Sequence, residues 1–248
     1  MTDHMTRRVL IPGGSGAVGE GAVRANLAAG ADVVVPTRTA QRADEVRRVL
    51  GDAATDRLHL FEHDYSTFDG AEKLAATMQD RLGGIDDVVA PIGGWWAGKR
   101  LWEIDETDWG NAFTGLATTH MAVARAVLPR LSGHGAYAVV VGESSAHPVP
   151  GSGLVSMEQA AVLMMRKVLA AEAGAAQRVH ALVLGPVRTR LATGNPSWVS
   201  ADQVGAVAVA LATTPAAASR EVLLRTGVEA EQVLAGLARR YRARGGNR

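Results

Sequence analysis

The amino-acid sequence predicts an α/β fold in which helices cover both faces of a parallel sheet. Short runs of apolar, mainly β-branched residues alternate with longer alanine-rich segments whose apolar residues recur at helical spacing. The short runs are apolar along their whole length, which is typical of strands buried on both faces. Buried strands that alternate with helices in this way form a doubly wound sheet.

Seven strands are predicted, each a short run bounded by polar or glycine residues. They are VLI at 9–11, VVV at 33–35, LHLF at 58–61, DVVA at 87–90, AVVV at 138–141, HALVL at 180–184 and EVLL at 221–224. The first helical segment, AVGEGAVRANLAAG, ends in Gly30, which suits a left-handed helix C-cap. No proline- or serine-rich linker interrupts the alternation, so we expect a single domain over residues 1–248, with a basic tail that frays from about residue 239.

The composition excludes several functional classes. Of the 248 residues, 47% are hydrophobic and 21% are charged, as in an ordinary globular protein. The 26 Lys and Arg residues balance 25 Asp and Glu residues, so no strong field draws the protein onto nucleic acid. The chain has no cysteine for disulfides or thiolate metal sites, and no signal peptide or long apolar span. We expect a cytoplasmic protein that acts on a small molecule, without a metal, a membrane or a nucleic-acid partner.

A glycine-rich turn stands between the first predicted strand and the first helix. In RRVLIPGGSGAVGEG the spaced glycines are Gly13, Gly16 and Gly19. Glycines in such a turn let backbone amides approach a pyrophosphate, and the helix N-terminus adds partial positive charge. The turn therefore predicts a dinucleotide site, which also includes the intervening residues Ser15, Ala17 and Val18.

The residues after the second strand indicate which dinucleotide is bound. VVVPTRTAQR contains no Asp or Glu between Val33 and Arg42. An acidic residue there would bind the ribose hydroxyls of NAD, whereas an arginine accommodates the 2′-phosphate of NADP. Thr37 and Arg38, with Arg42 as a second cation, therefore favour NADP(H) as the cofactor.

Further motifs occur in the order typical of one family. Asp64 lies in EHDYST after the third strand, Gly93 in VVAPIGG after the fourth, and Gly185 in LVLGPVRTR after the sixth. With the glycine turn, these residues resemble the short-chain dehydrogenase/reductase superfamily over nearly the whole chain. The resemblance implies a Rossmann-type sheet, a contact of Asp64 with adenine, a cofactor contact at Gly93, and contacts of Val187 and Thr189 with the nicotinamide carboxamide.

The same resemblance exposes a break in the catalytic motif. SMEQAAV aligns without a gap with the family's Tyr-Ser-Ala-Ser-Lys-Ala-Ala-Val, which places Val155 at the tyrosine position and Gln159 at the lysine position. The family asparagine falls on Leu116. No Tyr-x-x-x-Lys occurs anywhere in the chain, so the usual proton donor is missing.

Several residues near the fifth strand are candidates for the remaining chemistry. GESSAH places Ser144 and Ser145 where the family has its catalytic serine, and Ser145 is favoured. His147 is a replacement proton donor with a suitable ordinary pKa, and Glu143 or Glu158 could act if desolvation raised its pKa. The favoured hypothesis is that Ser145 polarises a carbonyl while water or the substrate supplies the proton.

Tryptophans mark the predicted substrate side. Trp95 and Trp96 follow the fourth strand, at the sheet edge where ligands of such folds bind. They favour a bulky, apolar or aromatic substrate, although packing under the loop or in a subunit interface would also explain them. Trp198 lies where the family places a mobile lid, and Trp109, inside a helical pattern, is predicted to be core.

Three functional hypotheses remain open from the sequence. The leading one is an NADPH-dependent oxidoreductase, a ketoreductase of secondary metabolism with a non-standard proton source. The others are a catalytically silent NADP(H)-binding sensor or partner subunit, and a non-redox isomerase, cyclase or lyase on the same fold. The resemblance also implies a homodimer or homotetramer through the helices around 109–130 and 155–176.

Overall fold

A computed structural model gives the structure of residues 6–214 and 217–245, with side chains described as far as residue 239. Its main sheet has seven parallel strands. In chain order they are β1 (Arg8–Leu10), β2 (Asp32–Thr37), β3 (Leu58–Glu62), β4 (Ile85–Ala90), β5 (Leu131–Gly142), β6 (Arg178–Leu184) and β9 (Glu221–Leu224). Two further strands, β7 (Val187–Arg188) and β8 (Val199–Ser200), pair with each other apart from this sheet. The predicted doubly wound fold and its seven strands are confirmed.

Helices cover both faces of the sheet. They are α1 (Gly19–Ala28), α2 (Ala40–Leu50), α3 (Phe68–Leu82), α4 (Glu106–Trp109), α5 (Gly115–Val127), α6 (Gly153–Ala173), α7 (Ala201–Thr213) and α8 (Gly227–Gly245). A π-helical turn, Gly110–Thr114, joins α4 to α5. The hydroxyls of Thr39, Thr67 and Ser200 accept backbone N–H groups at the starts of α2, α3 and α7, which defines where these helices begin.

The sheet order locates the ligand crevice. The strands run β3-β2-β1-β4-β5-β6-β9, so the chain reverses direction across the sheet at β1. Strand β1 pairs on one side with β2 and on the other with β4. In doubly wound sheets the crevice lies at the carboxyl ends of the strands at this reversal. The loops after β1, β2 and β4 therefore surround one site.

Two apolar cores pack against the two faces of the sheet. Side chains alternate along β5, so that Tyr137 and Val139 face α3, α5 and α6, whereas Val140 faces the core shared by α1, α2, α7 and α8. Both cores consist mainly of Val, Leu and Ala, as continuous apolar strands require.

Helices α1 and α7 meet backbone to backbone. A Cβ atom on Gly21 would overlap the carbonyl of Ala201, and one on Gly205 would overlap the carbonyl of Gly21. Only glycine at both positions allows this approach. The contact holds the first turn of α1 against α7, which follows β8.

The last helix reaches into the predicted basic tail. Helix α8 extends to Gly245, and the Ala and Arg residues from 239 onwards favour helix. The remainder of that tail, residues 246–248, lies outside the described residues. Within the described ranges, none of the helices is both long and apolar enough to cross a membrane.

Candidate active site

The glycine turn packs its backbone directly against other backbone. Gly13 has a φ of +86°, and a Cβ there would overlap the carbonyl of Pro91 after β4. A Cβ on Gly19 would overlap the carbonyl oxygen of Gly13. Helix α1 begins at Gly19, and Val18 at its N-cap supplies no side-chain cap. The first amides of α1 therefore have no side-chain acceptor, an arrangement that suits a phosphate.

A chain of ion pairs crosses the rim of this turn. The Arg42 guanidinium donates to the Ser15 carbonyl oxygen at 2.6 Å and pairs with Glu45. The Arg190 guanidinium lies 3.7 Å from Glu45 and donates to the buried carboxylate of Glu20 at 2.8 Å. These contacts lower the pKa of Glu45, chiefly through the hydrogen bond from Arg42. The network joins the turn, α1, α2 and the segment after β7.

The end of β2 provides the predicted adenosine side. Thr37 is buried, and its hydroxyl has no hydrogen-bond partner among the described residues. Arg38 follows on the surface, close enough to Asp64 to lower the pKa of that carboxyl. The first cause of the lowered Asp64 pKa is the Ser66 N–H, which the carboxylate accepts at 2.9 Å. Thr37, Arg38 and Asp64 thus lie at one edge of the crevice.

The predicted nicotinamide side lies after β6 and β4. The Gly185 N–H donates to the carbonyl of Leu224 at 3.0 Å, and Val187 starts β7. The Thr189 hydroxyl accepts the N–H groups of residues 191 and 192, both at 3.1 Å, which leaves its own O–H free to donate. Gly93 is exposed, with open space around its α-carbon.

The start of α6 replaces the family's tyrosine and lysine with a filled, neutral arrangement. Val155 is 1% exposed, so its side chain is packed away from solvent. The Gln159 amide oxygen accepts the Gly142 N–H at 2.8 Å and the Ser144 hydroxyl at 2.7 Å. The Ser145 hydroxyl, favoured from the sequence, is instead buried and has no partner in the described part of the chain.

Next to Gln159 in α6, the carboxyl of Glu158 is buried beside the imidazole of His120 in α5. Glu158 and His120 are almost fully buried, and the Glu158 Oε1 lies 3.8 Å from the His120 Nε2. The Nε2 also lies 3.0 Å from the carbonyl oxygen of Ile92, and it donates to that oxygen because a carbonyl only accepts. Burial raises the pKa of Glu158 to about 7 and lowers the pKa of His120 to about 4. Near neutral pH His120 is therefore uncharged, whereas Glu158 is divided between its protonated and ionised forms.

The other predicted proton donors lie in water. The His147 side chain is 72% exposed, and its Nε2 is 3.7 Å from the Glu143 carboxylate. Glu143 is also 3.9 Å from the Arg225 guanidinium. Glu143 and His147 therefore lie at the surface, whereas the candidate carboxyl that is buried belongs to Glu158.

The tryptophan loop after β4 is held by polar contacts, with two of its indoles exposed. Trp95 is 73% exposed and Trp102 is 80% exposed. The Trp96 Nε1 donates to Asp108 at 3.3 Å, and Lys99 pairs with the same carboxylate. The loop is therefore ordered, yet it presents apolar rings to solvent.

This loop also contacts the beginning of α6. The Gly98 N–H donates to the Gly151 carbonyl at 2.9 Å. The Leu101 side chain fills the space beside Gly153, where a Cβ would lie 2.7 Å from it. The loop is thus joined to the segment that replaces the catalytic motif.

The remaining two tryptophans, Trp109 and Trp198, each pack against residues of their own segment. Trp109 is 39% exposed and stacks on Phe113 with ring centroids 4.5 Å apart, so its prediction as core is wrong. Trp109 is the last residue of the short helix α4, and none of the residues of that helix is buried. Trp198 packs its ring onto Gly194 within its own segment after β7.

Comparison with known proteins decides the family. A family model described as Enoyl-(Acyl carrier protein) reductase matches residues 14–221. The chain belongs to the short-chain dehydrogenase/reductase superfamily. A curated relative, 1-deoxy-11-beta-hydroxypentalenate dehydrogenase from Streptomyces arenae, is 30% identical over 211 residues, covering 76% of this chain and 69% of that protein. A dehydrogenase is thus among the proteins whose sequences are similar to this chain.

Solved structures share the fold at lower identity. An alcohol dehydrogenase from Thermococcus sibiricus, complexed with 5-hydroxy-NADP, has a TM-score of 0.77 and 22% identity, covering 90% of this chain and 97% of that one. ElxO with NADP bound has a TM-score of 0.79 and 15% identity, with coverages of 89% and 97%. A 3-ketoacyl-(acyl-carrier-protein) reductase from Brucella melitensis, complexed with NADH, has a TM-score of 0.77 and 19% identity, with coverages of 90% and 98%.

Sequence reasoning missed two groups in this site. The ion-pair chain joins Glu20, Glu45 and Arg190, which are far apart in sequence and have no motif of their own. The contact between Glu158 and His120 was missed because the two residues lie on different helices and no motif links them. A histidine on an otherwise apolar helix was the available signal, but its partner is 38 residues away on another helix.

Proposed function

We propose that the protein is an NADP(H)-dependent oxidoreductase that interconverts an alcohol and a ketone on a bulky, apolar substrate. The observation that carries the proposal is the end of β2, where Thr37 and Arg38 stand without a carboxylate before Arg42. This arrangement lies in the crevice of a fold whose relatives are oxidoreductases. When bound, NADP(H) would supply or take up the hydride.

The residues present fit such a cofactor. The uncapped N-terminus of α1 and the glycine turn suit the pyrophosphate. The buried Thr37 hydroxyl, which lacks a partner among the described residues, suits a ligand hydrogen bond at the adenosine end. Arg42 and Arg190 already engage carboxylates, so Arg38 is the cation we assign to the 2′-phosphate. Thr189 can donate to the carboxamide.

The names of relatives support a redox reaction rather than silent binding. The curated relative is a dehydrogenase, and the fold neighbours include an alcohol dehydrogenase and a ketoacyl reductase. Two of the neighbours were solved with NADP or a modified NADP. Together these names favour hydride transfer at an alcohol or carbonyl carbon for this chain.

Loss of the tyrosine limits the rate without abolishing the reaction. General acid catalysis contributes about 10²- to 10⁴-fold, whereas positioning of two reactants contributes roughly 7–11 kcal/mol of the barrier. The chain has the glycine turn and the other residues that we assign to cofactor binding, whereas Val155, at the tyrosine position, has no proton to donate. Gln159 stands at the family's lysine position and contacts the hydroxyl of Ser144. We therefore assign the polar contact with the substrate to Ser144 rather than to Ser145. Water or the substrate supplies the proton.

The substrate class follows from the tryptophan loop. Trp95 and Trp102 expose large apolar rings on a loop fixed to the start of α6. Exposed aromatics of this size favour binding of an apolar ligand. Trp198, in the segment after β7, is the proposed lid over that ligand.

A second copy of the chain is the proposed partner. Met157, Met164 and Val168 are exposed along α6, so this helix presents apolar side chains on its surface. A stripe of this kind suits an isologous contact between two copies of α5 and α6. Sedimentation equilibrium should give a dimer or tetramer, and Met164→Glu should shift it towards monomer. A monomer at micromolar concentration would contradict the assembly.

The cofactor assignment is tested by titration with NADPH and, separately, NADH. We expect tight binding of NADPH and much weaker binding of NADH. Arg38→Ala should weaken NADPH binding about 10- to 100-fold, because a hydrogen bond to a charged group contributes roughly 1.5–3 kcal/mol. NADH affinity should stay the same. Arg48→Ala, which removes an exposed arginine from the same region, is the control.

Three outcomes would change the proposal. Equal affinity for NADH and NADPH would remove the role of Arg38. NADPH binding with no hydride transfer to or from any ketone or alcohol tested would favour the silent binding protein. Failure to bind either dinucleotide would contradict the oxidoreductase and favour a non-redox enzyme.

A further inference from the structure

The contacts of Gln159 define the hydrogen-bonding character of the site. Its amide oxygen is shared by the Gly142 N–H at 2.8 Å and the Ser144 hydroxyl at 2.7 Å. A Cβ on Gly142 would lie 2.7 Å from the same oxygen, so glycine at this position leaves the room that the glutamine uses. Gly142 and Gln159 are therefore matched to each other.

The orientation of the amide follows from chemistry. A backbone N–H only donates, so the Gln159 atom that faces Gly142 must be the oxygen. The flipped amide would place an NH₂ group against this N–H. With the oxygen in that position, the Ser144 hydroxyl must be the donor in its own contact with Gln159. The serine proton is thus committed inside the protein.

Two kinds of hydrogen-bonding group remain available. The Ser144 oxygen keeps its lone pairs and can accept. The Gln159 amide nitrogen has two N–H groups and no hydrogen-bond partner among the described residues. Both side chains are partly exposed, Ser144 in the turn after β5 and Gln159 in α6. A group that binds both must donate to Ser144 and accept from Gln159.

A hydroxyl satisfies that requirement, whereas a carbonyl oxygen accepts only. We propose that Ser144 and Gln159 form a hydroxyl-binding site, in which Gln159 is the positioning residue that makes Ser144 an acceptor. The proposal rests on the proposed function, since the hydroxyl belongs either to the cofactor's ribose or to the alcohol form of the substrate. It makes the alcohol, rather than the ketone, the form that this pair recognises.

A lysine at position 159 could not produce this arrangement. Its ammonium has three donors and no acceptor, so the Gly142 N–H and the Ser144 hydroxyl would both lose their partner. The glutamine is therefore not a neutral copy of the family's lysine. It changes which partner the serine can bind.

The test compares Gln159→Met and Ser144→Ala with the control Gln232→Met on the exposed side of α8. The dissociation constant of NADPH is measured without substrate, and KM and kcat are measured with the best alcohol and the best ketone found. Thermal unfolding midpoints and the NMR shift of the Gly142 amide report the structural contact separately. Loss of neutral hydrogen bonds should weaken binding of the hydroxyl roughly 3- to 10-fold.

The outcomes separate the two sources of the hydroxyl. A weaker NADPH affinity in both site variants supports the ribose. An unchanged NADPH affinity with a raised KM for the alcohol, but not for the ketone, supports the substrate alcohol. If both variants keep wild-type values, or affect ketone and alcohol equally, the hydroxyl site is wrong while the proposed function stands. A wild-type protein that binds neither dinucleotide overturns both.

Discussion

The glycine turn and the start of α6, at the two ends of the cleft, depend on different kinds of contact. At the glycine turn, Gly13 and Gly19 are held by contacts between backbone atoms, which no other residue type could replace. At the start of α6, Val155 and Gln159 stand where the family has its tyrosine and lysine, and the surrounding fold is intact. Backbone geometry constrains the first end, whereas individual side chains determine the second. Chemistry can therefore change on this fold while the dinucleotide cleft persists.

The backbone character of the turn predicts the largest effect. Gly19→Ala places a Cβ into the Gly13 carbonyl, so either the turn or α1 must move. We expect NADPH affinity to fall by at least about 100-fold, since 1.4 kcal/mol corresponds to tenfold and the displaced turn forms the phosphate site. Isothermal titration calorimetry measures the loss. Gly236→Ala on α8 is the control, because its nearest neighbouring atom is 3.9 Å from the added Cβ. Equal binding by both variants would contradict the backbone explanation.

The buried carboxyl beside α5 predicts the next effect. Burial raises the pKa of Glu158 to about 7 in the folded state, from an ordinary value of 4.5. The folded state therefore holds this proton more tightly than the unfolded state, and stability is lost as pH rises from about 4.5 to about 7. Glu158→Gln should remove that loss, which amounts to about 2–3 kcal/mol at pH 8 relative to pH 4.5.

Urea unfolding of wild type and Glu158→Gln at several pH values between 4.5 and 8 measures this difference. The opposite shift at His120, whose pKa falls to about 4, is present in both proteins and cancels from the comparison. Glu172→Gln, on the exposed side of α6, controls for the change of charge. Parallel stability curves for wild type and Glu158→Gln would show that the carboxyl is not desolvated.

The filled tyrosine position predicts a smaller, destabilising effect. Val155→Tyr with Gln159→Lys restores the residue types of the family motif, but Val155 is already buried. We expect a loss of about 1–3 kcal/mol from overpacking, with no gain in turnover. Chemical denaturation and steady-state kinetics measure the two effects. A stable double variant with higher activity would mean that the site kept room for the phenol.

The exposed indole of the tryptophan loop predicts the smallest effect on stability. Trp95 is 73% exposed, so Trp95→Ala should change the free energy of unfolding by less than about 0.5 kcal/mol. It should raise KM for an apolar substrate roughly 5- to 10-fold, because the aromatic contact area is lost. Steady-state kinetics with NADPH saturating would detect this. A change in stability without a change in KM would place Trp95 in packing instead.

The glycine turn could be predicted from the sequence, whereas the side-chain contacts near the start of α6 could not. The glycine turn and the Thr37–Arg38 pair were visible because they depend on residues that are close in sequence and on their place after a strand. The different surroundings of Ser144 and Ser145 could not be predicted from GESSAH, since the two hydroxyls are adjacent in sequence and only Ser144 contacts Gln159 in the described residues. The structure alone also shows that Trp109 is exposed, because its helical spacing resembles that of a core residue.

The order of strands and helices, the glycine turn and the absence of the tyrosine and lysine follow directly from the amino-acid sequence. Those features depend on local propensity, on apolar periodicity and on which residues are present. The contacts of Glu158 with His120 and of Arg190 with Glu20 arise instead from the packing of separate elements. Such partners lie on different elements, and their burial and hydrogen bonds exist only after the helices pack on the sheet. The ion pairs and buried polar contacts of the site therefore depend on tertiary packing.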